Sequence, residues 1–128
     1  MKGNIPTAVF EVVSRSANQT AMQVFKGALC DVWTFQDVGN TVKKFAAALR
    51  FMGIGTGDRV VILAENRPEW GIAYLGVVTI GATVVPFDVQ YTSDEVKTLI
   101  QDCEPHTIIV TAQTYSLLPA REEKQCVI

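Results

Sequence analysis

The 128 residues predict an α/β fold, a parallel sheet flanked by helices on both faces and preceded by an N-terminal helix and a β-hairpin. Three observations carry this. From Thr34 onward, apolar runs of strand length alternate with stretches of helical period, in the order α-β-α-β-α-β-(α)-β. Such alternation implies right-handed crossovers and a parallel sheet. The run "RVVILA" (Arg59 to Ala64) is apolar almost throughout, as a strand covered on both faces must be. Finally, two T-x-x-D/E signatures, at Thr34 and Thr92, mark helix starts.

The elements follow in order. Val9, Phe10, Val12 and Val13 lie near helical spacing, so a short helix over Thr7 to Ser16 is expected after Pro6. "TAMQVF" and "DVWTF" flank Lys26-Gly27 and read as a hairpin. The helix after Thr34 places Val38, Val42, Phe45, Leu49 and Met52 on one stripe, with Asn40, Lys43, Lys44 and Arg50 off it. Gly53 stops it as a C′ glycine. After "RVVILA", Pro68 sits where a first helical turn tolerates proline. Trp70 to Ile80 is apolar almost all round and should pack deeply, its glycines and Ala73 allowing close approach to the sheet. "ATVVPF" is the next strand. Thr92 to Glu95 opens a helix with Val96, Leu99, Ile100 and Cys103 on one face. "TIIVTA" (Thr107 to Ala112) is a further buried strand, Tyr115 to Leu118 a short helix, and "QCVI" one more strand.

Composition bounds the function. The 48% hydrophobic and 19% charged residues argue against disorder, and the length suits a single domain. The net charge of -2, with no basic stripe interleaved with aromatics, argues against a nucleic-acid partner. Cys30, Cys103 and Cys126 are odd in number and far apart. Neither a disulfide framework nor a zinc site follows, and reduced thiols fit a cytoplasmic protein. Position four from the end is Gln125, not the cysteine of a prenylation box. "MKGNIPTAVFEVV" has no signal-peptide core, and Trp70 to Val85 is too short and too glycine-broken to span a bilayer.

Candidate sites are few. "GIGTGD" (Gly53 to Asp58) looks like a phosphate loop, but it lies between helix and strand, the reverse of the order that aims a helix N-terminus at phosphate. It reads as a helix cap and a tight turn. His106, the sole histidine, has no cysteine or carboxylate at ligand spacing and reads as a surface or capping residue. Cys30 and Cys103 have no identifiable base partner and read as small apolar residues. No G-x-S-x-G elbow or G-x-x-x-x-G-K-[ST] loop occurs. Glu65, Asn66 and Arg67 lie just past a buried strand, where open α/β sheets place their ligand crevice. Asp88 and Gln90 follow the next strand, and Gln113 the one after. The plainer reading is that these residues satisfy loops and helix ends, for example Asn66 bonding amides ahead of Pro68. Trp33 and Trp70 read as packing rather than ligand stacking.

"WTFQDV", "LRFMGIGTGDRVVILAENRPEW", "AYLGVVTIGATVVPFD", "YTSDEV" and "PHTIIVTA" occur in order over roughly Thr7 to Ala112. Together they resemble the N-terminal part of the adenylate-forming (AMP-binding) acyl-CoA synthetases. "ENRPEW" is most similar to the long-chain fatty acyl-CoA ligases. The resemblance implies a partial subdomain of a larger enzyme. That enzyme would use ATP and magnesium to convert a fatty acid to an acyl-adenylate, then form a thioester with coenzyme A.

The family's phosphate loop, of the form SGTTGxPKG, has no counterpart in this chain. No catalytic, cofactor-binding or metal-binding residue is therefore carried over, and the chain alone is expected to be inactive. Its partners would be the remainder of the parent enzyme and, through it, fatty acid, ATP and coenzyme A. The parent would be cytoplasmic, with peripheral membrane association left open. The apolar ending "CVI" leads us to expect a fragment, and the uncovered edge and helix faces of a fragment predict self-association. The rival reading is a standalone α/β ligand-binding or interaction module, with Asn66, Asp88 and Gln90 holding its ligand. A flavodoxin-like nucleotide binder is disfavoured because "AENRPEW" is glycine-free.

Overall fold

The computed structural model describes residues 3–120 and 126–127. Helix α1 spans Ile5–Arg15, strands β1 (Thr20–Lys26) and β2 (Leu29–Thr34) form the hairpin, and α2 follows over Phe35–Phe51. Then come β3 (Arg59–Leu63), α3 (Pro68–Thr79), β4 (Thr83–Pro86), α4 (Ser93–Cys103) and β5 (Thr107–Val110). A single 3-10 turn at Tyr115–Leu117 and a short β6 (Cys126–Val127) complete the order.

The expected α/β architecture is present. Strands β4-β3-β5-β6 make one sheet, and all three of its pairings are parallel. Hairpin β1-β2 is a separate antiparallel ribbon. Side chains alternate across β3. Val60 packs with Ala46 and Leu49 of α2 and Val77 of α3 on one face. Val61 and Leu63 pack with Val96 and Ile100 of α4 on the other. Helices therefore cover both faces, and Val60, Val61, Ile62 and Leu63 are completely buried. Strand β4 lies at an edge, which is where its Pro86 can be accommodated without breaking a ladder.

Both capping boxes form. The Thr34 hydroxyl accepts from the Asp37 amide (3.1 Å) while the Asp37 carboxylate accepts from the Thr34 amide (2.9 Å). Thr92 and Glu95 repeat the arrangement, at 3.3 Å and 2.7 Å. Gly53 adopts φ 84°, the left-handed C′ conformation expected of it. "GIGTGD" is a turn: Gly57 has φ 93°, and the Asp58 carboxylate accepts from the Gly55 amide at 2.8 Å.

Three details differ from expectation. Helix α1 begins at Ile5 rather than after Pro6, because the Asn4 side chain caps it by accepting from the Thr7 amide (3.0 Å) and proline is tolerated in the first turn. Met52 is not core. It is the C-cap residue of α2 and 43% exposed, whereas the small residues Gly39 and Ala46 are buried on the helix's packed face. The close approach made by α3 is to α2 rather than the sheet, with the Phe45 ring seated against Gly76.

Candidate functional site

In a parallel sheet all carboxyl ends lie on one side, so the segments after β3, β4 and β5 share one crest of the molecule. The structure joins two of them. Backbone pairing of β3 with β5 reaches Leu63↔Val110, and side chains continue the connection. The Thr114 hydroxyl, buried, donates to the Leu63 carbonyl at 2.6 Å and accepts from the Thr111 amide at 3.0 Å. The Thr111 hydroxyl donates to a Glu65 carboxylate oxygen at 2.7 Å. The other Glu65 oxygen lies 3.4 Å from Arg67 Nη1. Arg67 in turn donates from Nε and Nη2 to the two carboxylate oxygens of Glu69, at 2.8 and 3.2 Å.

These contacts set the local charge states. The Thr111 hydroxyl bond, a backbone amide and Arg67 hold the Glu65 carboxyl below its ordinary range. Glu69 is lowered chiefly by its bond to Arg67, and the Arg67 guanidinium is raised reciprocally. The crest therefore carries two carboxylates around one guanidinium.

The remaining candidates stand apart. Asp88 turns back on its own loop, its carboxylate accepting from the Gln90 amide at 2.9 Å. Gln90 and Gln113 are exposed. The reading of Asn66 as a cap for amides ahead of Pro68 is corrected. Arg67 occupies the N-cap of α3 without a side-chain capping bond, and the exposed Asn66 amide makes no hydrogen bond among the described residues. His106 is exposed, with Nδ1 3.1 Å from the Thr107 hydroxyl. Trp33 packs beside the Val38, Val42 and Ile72 cluster, and Trp70 stacks on Tyr74 at 5.6 Å, both as packing residues. Thr111 and Thr114 escaped sequence reading. The signal was present as T-x-x-T directly after an apolar strand, a spacing at which hydroxyls bond local backbone.

The crest does not fit a triphosphate. Its one guanidinium is engaged by two carboxylates, and the loop before α3 has no glycine to bring backbone amides onto phosphate. Among the described residues no group of three His, Cys, Asp or Glu is placed to hold a metal ion. No described helix is long and apolar enough to cross a membrane.

Comparison with known proteins agrees with this architecture. Solved NpsA from Klebsiella oxytoca, in complex with 3-hydroxyanthranilyl-AMSN, superposes with a TM-score of 0.86 at 20% identity, over 100% of this chain and 25% of that one. The long-chain-fatty-acid–CoA ligase FadD15 of Mycobacterium bovis is 28% identical over 116 residues, 88% of this chain and 18% of its own length. Tyrocidine synthase 3 of Brevibacillus parabrevis is 30% identical over 103 residues, 80% of this chain and 2% of its own. Relatives thus include peptide synthetases as well as acyl-CoA ligases, so likeness alone does not select the long-chain branch. Residues 9–128 match the AMP-binding enzyme family, and with that match, on the adenylation-enzyme fold just described, the chain belongs to the AMP-binding, adenylate-forming enzymes.

Proposed function

We propose that this chain is the N-terminal α/β scaffold of a longer fatty acid–CoA ligase. That enzyme would activate a long-chain carboxylate with ATP and magnesium to an acyl-adenylate, release pyrophosphate and transfer the acyl group to coenzyme A. The observation that carries the reading is the family match over residues 9–128. The point that favours the fatty-acid branch is the "ENRPEW" resemblance; a fatty-acid–CoA ligase aligned over 88% of the chain accords with it, and a hybrid PKS-NRPS synthetase is aligned over the same share. The self-engaged Glu65–Thr111 and Arg67–Glu69 contacts suit a scaffold that shapes one wall of a cleft while phosphate chemistry is done by other segments. As a scaffold with uncovered surfaces, the isolated chain should also self-associate.

The test starts with the intact mass of the natural gene product carrying this sequence. A mass several times 14.0 kDa is expected, and a mass near 14.0 kDa overturns the reading. ATP–pyrophosphate exchange is then measured for the natural product with palmitate, 3-hydroxybenzoate and a panel of amino acids. Exchange led by palmitate is expected. Exchange led by an aryl or amino acid leaves adenylation standing and removes the fatty-acid assignment. The 128-residue chain alone is expected to give none above a heat-killed control.

A further inference from the structure

Beyond the last β3–β5 ladder pair, the chain leaves the sheet on both sides, into the loop before α3 and into the 3-10 turn. Loops released from a sheet in this way ordinarily move. Here side chains take over where backbone pairing stops. Thr114 closes the end of the ladder by donating to the Leu63 carbonyl. Thr111, three residues earlier, reaches across to Glu65 at 2.7 Å, a contact between residues 46 apart in sequence. On the far side of the loop, Arg67 is tied at two nitrogens to Glu69 in the first turn of α3. Pro68 restricts the Arg67 backbone to extended conformations, and Arg67 has φ -155° and ψ 161°. Asn66 is thus held on both sides, by a residue bonded to β5's continuation and by a residue bonded to α3. Its own amide is exposed and makes no hydrogen bond among the described residues.

We propose that Thr111 and Glu65 are positioning residues that hold the Asn66 tip in one conformation over the carboxyl end of the sheet. The amide is then pre-set to donate to and accept from a polar ligand group without paying for loop ordering at the moment of binding. The relevance of that ligand to adenylation rests on the function proposed above. The clamp itself does not, and it is tested without ATP or substrate, so the two fail separately.

The experiment is NMR relaxation on the 128-residue chain, reading backbone order parameters of residues 64–67 and the motion of the Asn66 side-chain amide. The unsubstituted chain should show rigid values of about 0.85 at the tip, and Thr111→Val should drop them to about 0.6 or below. Thr111→Ser keeps the hydroxyl and should restore rigidity. Amide exchange in β3 and β5 should stay within about threefold of the parent, which separates a positioning role from general loosening. An unchanged tip in Thr111→Val, or no rescue by Thr111→Ser, overturns the proposal. If Thr111→Val does not fold, Glu65→Ala at its partly exposed position carries the same expectation, and a rigid tip in that variant overturns the proposal equally.

Discussion

Three helix glycines, Gly71, Gly76 and Gly39, should respond differently to the same substitution, because their surroundings differ. At Gly71, in the second turn of α3, an added Cβ meets no heavy atom within 4 Å. Gly71→Ala should therefore stabilise by the helix-propensity difference, about 0.5–1 kcal/mol. At Gly76 the added carbon lies 2.5 Å from Phe45 Cδ1, 3.3 Å from Cε1 and 3.5 Å from Cγ. Ordinary carbon contacts are about 3.5–4.0 Å, so the ring must retreat by roughly 1 Å. Phe45 packs against the cluster of Ala46, Leu49, Val60 and Val77, which leaves it little room. Overpacking of this kind costs about 1–3 kcal/mol. Subtracting a propensity gain of about 1 kcal/mol leaves Gly76→Ala about 1 kcal/mol less stable than the parent. Gly39 is intermediate. Its added carbon lies 2.7 Å from Val13 Cγ1, but Val13 belongs to α1, which has no fully buried residue and can shift outward. Gly39→Ala should be close to neutral. Urea unfolding with constant m-value reads all three, and about 1 kcal/mol corresponds to roughly 3–5 °C in midpoint for a domain of this size. The double variant Gly76→Ala/Phe45→Leu should be more stable than the sum of its singles, with a coupling of at least about 0.5 kcal/mol. If Gly76→Ala is as stable as Gly71→Ala, or the double variant is merely additive, the steric account is wrong.

Further outcomes follow from polar contacts. Thr114→Val should cost about 1–3 kcal/mol, since it strands the buried Leu63 carbonyl without its donor at 2.6 Å; a change below about 0.5 kcal/mol in chemical denaturation would contradict that role. Thr34→Ala and Thr92→Ala should each lose about 0.5–2 kcal/mol, and because the caps start different helices the losses should add in the double variant. Glu65 is lowered in the folded chain by the Thr111 hydroxyl first, then a backbone amide and Arg67. Its stabilisation is therefore complete above the unfolded carboxyl pKa and is lost as pH falls through the depressed folded value. Denaturation midpoints measured from pH 5 down to pH 2.5 should fall less steeply in Thr111→Val than in the parent, and parallel curves would refute the coupling.

How much of this was legible beforehand depends on how local the cause is. The caps at Thr34 and Thr92 were readable because donor and acceptor lie three residues apart, and both boxes close as spaced. The doubly covered β3 was readable because burial on two faces leaves no room for polar residues in "VVIL". Errors arose where a local rule met a non-local partner. Met52 continues the apolar stripe of α2, yet the helix stops at Phe51 and turns Met52 toward solvent. Gly76 reads as a contact with the sheet because glycine signals close approach without saying to what; the partner, Phe45, is on a helix far earlier in the chain.

The crest follows the same logic, and it bears on function. Glu65, Asn66 and Arg67 were found from position alone, since any segment after a buried parallel strand borders the crevice. Their roles were set by Thr111 and Thr114, which arrive from the other side of the sheet and carry no distinctive spacing to Glu65. Once those threonines are in place, a set that looked like three candidate ligand groups divides. Glu65 and Arg67 are spent on β5's continuation and on Glu69, and only Asn66 retains its hydrogen-bonding capacity. A crest whose one guanidinium is taken by two carboxylates, with the Asn66 amide beside it, can orient a neutral or weakly polar group but cannot hold a triphosphate. On the function proposed above, segments outside this chain would take the phosphates and leave the tip to orient what they react with.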